Sequence, residues 1–203
     1  MSPSFFYESQ YSSYIAGVDE VGMGSWVGPV YAAAAYVPPE TPVEILTLID
    51  DSKRLTLAKR EKAYQAIIKA GLQVSIGSAS LEEIEIYNIR GAAHLAMERA
   101  INQLQPLPDV VLVDGSMHPK TSAEVLSIIQ GDSKSYSIGV ASIVAKVKRD
   151  LLLKQLHETF PHYGWNTNAG YGTSAHQKAI ALYGITPHHR KGYAPIRQAL
   201  KGA

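Results

Sequence analysis

Ala16-Gly17-Val18-Asp19-Glu20-Val21-Gly22-Met23-Gly24 is an apolar run that meets two acids and then a glycine-rich turn. Tyr14 to Val18 and Val27 to Val37 read as apolar strands on either side of that turn, as expected for segments buried in a sheet. A carboxylate at the rim of a buried strand loses water and must be compensated. Adjacent residues on a regular strand point to opposite faces, so Asp19 and Glu20 can share one site only if the chain bends there. Gly22 and Gly24 make such a bend feasible.

The same grammar continues outward. Residues 56–70 predict a helix with Leu57, Tyr64, Ile67 and Ile68 on one face and Gly71 as its stop. Gln73 to Ala79 alternates and predicts a third strand. Ser80 followed by Glu83 has capping-box spacing and opens a helical region that Pro106 and Pro108 end. Val110 to Val113 and Val125 to Ile129 predict two short strands, ending at Asp114-Gly115 and Gly131-Asp132. Ser137 to His157 predicts a long helix, 160–173 a loop rich in Gly, Asn and aromatics, Ser174 to Tyr183 a helix stopped by Gly184, and a last short helix follows Pro195. Three early strands and then two interleaved with helices predict a mixed α/β sheet covered by helices, with the 80–105 region long enough for a crossover.

Acids recur where strands end: Asp19 and Glu20 after the first, Asp114 after the fourth, Asp132 after the fifth. Clustered carboxylates repel one another, and a hard divalent cation resolves that cost. Two such ions can clamp both oxygens of an in-line phosphodiester displacement. Each acid taken alone is also an ordinary turn residue, Asp114-Gly115 above all; the set of four at strand ends favours a metal site.

Composition is that of a globular protein: 203 residues, 46% hydrophobic, 18% charged. With no cysteine, disulfides and thiolate zinc sites are excluded, and a cytoplasmic setting is the expectation. Met1 to Ser13 lacks a leader pattern and no apolar run approaches a membrane span, so no membrane partner is expected. Residues 1–145 hold 10 Lys+Arg against 16 Asp+Glu, and residues 146–203 hold 9 against 2, with five of the seven histidines. An acidic body with a basic C-terminal part suits a protein that holds cations in one place and a polyanion in another.

Ala16 to Gly24 with Val27-Gly28-Pro29-Val30 resembles the opening motif of the type 2 ribonucleases H. Further matches follow in order: Asp51-Ser52-Lys53-Arg54-Leu55, Val113-Asp114-Gly115, Gly131-Asp132, the helix segment Ala141 to Val147 with Arg149-Asp150, Gly170-Tyr171-Gly172-Thr173 with His176, and His188-His189-Arg190. The resemblance runs from residue 15 to about 197 and points to ribonuclease HII. It implies a ribonuclease H-like five-stranded mixed sheet flanked by helices, in a single domain with a core over about 14–158 and a helical C-terminal extension over about 159–203. It also implies hydrolysis of the RNA strand of RNA–DNA hybrids, cutting 5′ to ribonucleotides embedded in duplex DNA, and 5′-phosphate and 3′-hydroxyl ends. Two Mg²⁺ or Mn²⁺ ions would be held by Asp19, Glu20, Asp114 and Asp132. The Gly22-Met23-Gly24 turn would read the ribose 2′-hydroxyl through main-chain groups, and Tyr171 would pack on a sugar. That hydroxyl is what separates RNA from DNA at one position. Lys53, Lys146 and Arg190 are candidate phosphate contacts. Ser142 is expected to bond only to a backbone carbonyl one turn back, and His176 to be structural. A monomer is the default expectation.

The chain departs from the family pattern at two places that carry charge. Met23 stands where ribonuclease HII usually has arginine, and Ala169 where a lysine is common before Gly170-Tyr171. Lys191-Gly192-Tyr193 also replaces a more usual Arg-Ser-Phe run. Ribonuclease HIII, the sister family, also lacks that arginine but carries an N-terminal domain, whereas about 14 residues precede the first strand here.

Overall fold

The computed structural model describes residues 3–201; Met1, Ser2, Gly202 and Ala203, the ends of the Met1–Ser13 segment and of the 159–203 extension read above, lie outside them. Five strands form one sheet: β1 (Ile15–Val21), β2 (Val30–Tyr36), β3 (Gln73–Ala79), β4 (Val110–Asp114) and β5 (Glu124–Ile128). Their order is β3-β2-β1-β4-β5. The first three strands pair antiparallel, while β4 runs parallel to β1 and β5 parallel to β4. A mixed five-stranded sheet is what the sequence predicts. β1 runs three residues further than expected, through both acids to Val21, with Asp19 opposite Ala33 and Glu20 opposite Ala32. The two acids therefore belong to the ladder, and no bend separates them.

Strand alternation sorts the core into two layers. Ala16, Val18, Ala32, Ala34, Val111 and Val113 face α3 (Leu81–Asn102). Ala33 and Ala35 face α4 (Tyr136–Thr159) and α2 (Leu57–Lys69), and Val21 packs on the same cluster. The alanine run of β2 lets helices close in on both sides. Gly77 and Gly17 carry this furthest: a Cβ on Gly77 would stand 2.0 Å from Ala96 O, and one on Gly17 2.1 Å from Ile138 N. Both helices thus rest directly on sheet backbone.

The Ser80–Glu83 signal acts where the sequence placed it, and further local bonds close other element ends. Thr56 caps α2, and Ser80 and Glu83 close a full capping box at α3. Within α3, Asn88 adopts φ 57° and its side chain caps Arg90 and Gly91, so a kink divides the helix. Ser135 caps α4, and Glu8 adds a buried carboxylate that accepts from Ser135 Oγ and Ser137 N. A negative group there favours the positive end of a long helix. Two short helices arise that periodicity could not show: α1 (Val43–Leu46) and, inside the expected loop, α5 (Trp165–Asn168). With α6 (Ser174–Tyr183) and α7 (Ala194–Lys201), α5 forms the C-terminal extension around a small core of Trp165, Tyr163, Val27 and Ile196. No helix among the described residues is long and apolar enough to cross a membrane.

Candidate active site

Asp19 on β1 and Asp114 at the end of β4 lie on the α4 face of the sheet. Asp132 sits in a short 3-10 turn, Gly131–Ser133, that leads into α4. One carboxylate oxygen from each of the three lies within 4.8 Å of the others. This convergence requires parallel pairing of β1 and β4, which sets both strand ends at one edge. Asp114 is oriented by the Gly131 N–H, 2.6 Å from its Oδ1, and Asp19 by the Glu20 N–H at 2.7 Å.

Glu20 stands apart from that trio, as strand alternation demands, yet it lines a pocket together with Asp19. Burial, then repulsion from Asp114, raises its pKa. Burial also drives the Asp19 carboxyl well above its usual value, with Glu20 and Asp114 adding to it and a hydrogen bond from Ser142 working against it. Asp132 is raised by burial and by Asp114. Oxygen-only donors, tightly grouped and penalised for their charge, fit a hard divalent cation.

The pocket, about 340 Å³, is walled by Ser52, Lys53, Arg60, Ser142, Lys146, Arg149 and Tyr171. Lys53 is at its rim. Burial weighs against its ammonium, but Asp19, Asp132 and Asp114 outweigh this and hold its pKa above the ordinary value. The loop carrying Lys53 is fixed from below, since Arg60 Nη1 donates to Ser52 O at 2.6 Å and Ser52 Oγ meets Ser142 Oγ at 2.8 Å. Ser142 is therefore not the backbone-bonded helix serine expected of it. It bonds to the Lys53 loop and lines the pocket together with Asp19.

Lys146 is paired with Asp150, which also meets Arg60 at 3.4 Å, so its ammonium enters the pocket partly neutralised. Arg190 differs from expectation outright. It is 1% exposed, with bonds to backbone carbonyls from Nε and both terminal nitrogens, and it cannot meet a phosphate from there. Sequence reasoning reads an arginine beside two histidines as an exposed phosphate contact, because nothing local shows that the extension folds back over residues 22–29.

The glycine turn and Tyr171 do come together. Gly22 has φ +97°, which a side chain would resist. A Cβ on Gly24 would stand 3.0 Å from Tyr171 Cε1, so the ring lies against the turn. Tyr171 is 49% exposed at the pocket wall. Met23 turns its side chain onto the apolar layer under α3.

Behind Tyr171 is a closed chain of buried rings. The Thr186 N–H donates to His189 Nδ1 at 2.9 Å, so the His189 proton is on Nε2 and points at His176 Nε2, 3.2 Å away. Trp165 Nε1 donates to the same nitrogen at 3.1 Å, leaving His176 Nδ1–H for the Tyr171 carbonyl at 2.9 Å. Both histidines must be neutral for this to hold. Burial lowers both pKa values, and His176 lowers that of His189 further, to about 4. His176 is thus structural, as expected.

The family model described as Ribonuclease HII matches residues 16–195. A ribonuclease HII from Wolbachia of Brugia malayi is 48% identical, covering 99% of this chain and 98% of that relative. One from Gluconobacter oxydans is 46% identical over 98% and 97%. Among solved structures, ribonuclease H2 from Pyrococcus horikoshii superposes with a TM-score of 0.78 at 24% identity, covering 93% of this chain and 97% of that one. A Bst ribonuclease HIII crystallised with Mn²⁺ gives 0.71 at 18%, over 100% and 74%. At those identities the structures speak for the fold, which is the ribonuclease H-like fold anticipated. The sequence matches speak for more: this chain belongs to the ribonuclease HII family and is a ribonuclease H enzyme.

Proposed function

We propose that this enzyme hydrolyses the RNA strand of RNA–DNA hybrids and cuts 5′ to ribonucleotides embedded in duplex DNA, removing misincorporated ribonucleotides. The observation that carries this is a pocket lined by both Asp19 and Tyr171: Asp19 is grouped with Asp114 and Asp132, their carboxylate oxygens within 4.8 Å, and the exposed Tyr171 ring lies against the glycine turn. The first suits phosphodiester hydrolysis, the second a sugar with one extra hydroxyl. Asp19, Asp114 and Asp132 would hold divalent ions, Mg²⁺ or Mn²⁺, with Glu20 reaching in from the neighbouring strand position. When bound, two such ions would supply Lewis-acid chemistry for phosphodiester hydrolysis, and the expected products carry 5′-phosphate and 3′-hydroxyl ends.

The chain's own residues do the rest. Lys53 at the rim offers a cation to a phosphate oxygen. Ser142 and Ser52 keep Asp19 and the Lys53 loop in register. Tyr171 and the outward face of residues 22–24 meet the ribose. Met23 and Ala169 remove two charges at this surface, so contacts from several ribonucleotides should matter more. Accordingly, a duplex with four ribonucleotides is cut faster than one with a single ribonucleotide.

The test is cleavage of end-labelled DNA duplexes containing one or four ribonucleotides, with Mg²⁺, Mn²⁺ or chelator, below saturation. Metal-dependent cutting 5′ to a ribonucleotide supports the reading. Equal rates on both would overturn the substrate preference, and binding without any cutting would overturn the assignment of chemistry.

A further inference from the structure

The glycine turn is held by more than a turn needs. Arg190 Nη1 donates to the carbonyls of Gly22 at 2.7 Å, Met23 at 3.2 Å and Ser25 at 2.7 Å. Its Nε donates to Gly28 O at 2.7 Å and its Nη2 to Pro29 O at 3.2 Å. The Tyr193 hydroxyl adds a bond to Met23 O at 2.5 Å. Arg149, 2% exposed, lies under the same turn: a Cβ on Gly22 would stand 2.3 Å from its Nε. Its Nη1 and Nη2 donate to Ala169 O at 3.2 Å and Val27 O at 3.3 Å, which ties the Tyr171 loop to the turn.

Neither guanidinium has a carboxylate partner among the described residues. A buried charge without a counter-ion costs on the order of several kcal/mol, and burial followed by repulsion from Arg190 brings the Arg149 pKa down to about 10. Side chains that merely shape turns, such as asparagine or serine, carry no such cost. The peptide geometry gives the charges a purpose. In a trans peptide, C=O and N–H point in opposite directions. Because the Gly22 and Met23 carbonyls face Arg190, the N–H groups of Met23 and Gly24 face away from the interior. Neither has a partner among the described residues, and Gly24 is exposed beside the Tyr171 ring. A carbonyl bonded to a cation also makes its peptide N–H a stronger donor.

We propose that Arg149 and Arg190 are positioning residues for ribose recognition: their buried guanidiniums hold the Met23 and Gly24 N–H groups outward beside Tyr171 and keep fixed positive charge beneath the bound sugar–phosphate. This rests on the reading that the turn receives the ribose. It explains how a surface that carries Met23 and Ala169 in place of exposed cations still presents positive potential to a polyanion.

The experiment pairs kinetics with amide resonances. Arg190→Lys keeps the charge and loses the fork, and Tyr193→Phe removes one bond to the Met23 carbonyl. We expect Arg190→Lys to raise KM for a hybrid about tenfold, or about 1.4 kcal/mol, with kcat and Mn²⁺ affinity essentially unchanged. Tyr193→Phe should raise KM less, about threefold (about 0.65 kcal/mol). In an Asp114→Asn background that does not cut, the Met23 and Gly24 amide protons should shift on adding hybrid but not DNA duplex, and shift less with Arg190→Lys. If these amides do not respond to hybrid in the parent, the ribose reading itself fails. Should they respond equally with and without the substitutions, at unchanged KM, the positioning proposal alone fails. If Arg190→Lys does not fold, Tyr193→Phe decides, and an unchanged KM or a fall confined to kcat overturns the proposal.

Discussion

Asp19→Asn should abolish cleavage and at the same time stabilise the metal-free protein. The carboxylate oxygens of Asp19, Asp114 and Asp132 come within 4.8 Å of one another, and two unit charges at that distance repel by about 3.5 kcal/mol at an effective dielectric constant near 20. Part of this never accrues, because burial and its acidic neighbours push the Asp19 carboxyl well above its usual pKa, so it holds a proton to higher pH than a free aspartate. Asparagine keeps the local bonds: its Oδ1 can accept from the Glu20 N–H as now, and its amide can donate to the Ser142 hydroxyl. A net gain of about 1–2 kcal/mol is expected, which for a chain of this size raises Tm by about 2–8 °C. The assay is thermal and urea unfolding in chelator. Because the folded-state pKa is raised, the penalty is absent below the unfolded value and grows as pH rises through the folded one. The gain should therefore be larger at pH 8 than at pH 4. Adding Mn²⁺ reverses the order, since saturating metal stabilises only the protein that binds it, by about 2.7 kcal/mol at a hundredfold excess over Kd. A variant less stable than its parent in chelator, or one that still cuts, would refute the carboxylate cluster as the metal site.

Three further outcomes follow from other parts of the molecule. His189 has its folded pKa lowered to about 4 by burial and by His176, so the unfolded chain binds the proton more readily; stability should fall as pH drops from about 6.5 to 4, by up to about 3 kcal/mol, and the slope should flatten in His189→Gln, as read from urea midpoints across that range. Gly17→Ala would set a Cβ 2.1 Å from Ile138 N and Ser137 C; forcing α4 off the sheet should cost about 3 kcal/mol or more, and an unchanged urea midpoint would disprove that close approach. Tyr171→Ala should slow hybrid cleavage about tenfold or more, in line with about 1–3 kcal/mol for an aromatic stacking contact, without lowering Tm, because the side chain is 49% exposed; an unchanged rate would remove Tyr171 from the substrate surface.

Much of this protein is local and therefore legible in one dimension. The alternation of Gln73–Ala79, the Ser80–Glu83 capping box and the Gly71 and Gly184 stops mark real element ends, because each works within a few residues of chain. The acids at strand ends mark the candidate site for the same reason: a carboxylate beside a buried strand needs compensation wherever the chain goes. Only the tertiary structure decides which acids meet. Asp114 is 95 residues from Asp19, and parallel pairing of β4 with β1 brings them together while strand alternation sets Glu20 aside. The same holds for Arg149, Arg190 and Ser142. Their residue types suit a surface cation or a helix serine equally well. Their roles come from burial and long-range partners, with Arg190 reaching back to carbonyls at residues 22–29, because a side chain's chemistry is set by what surrounds it and the chain order does not encode those surroundings locally.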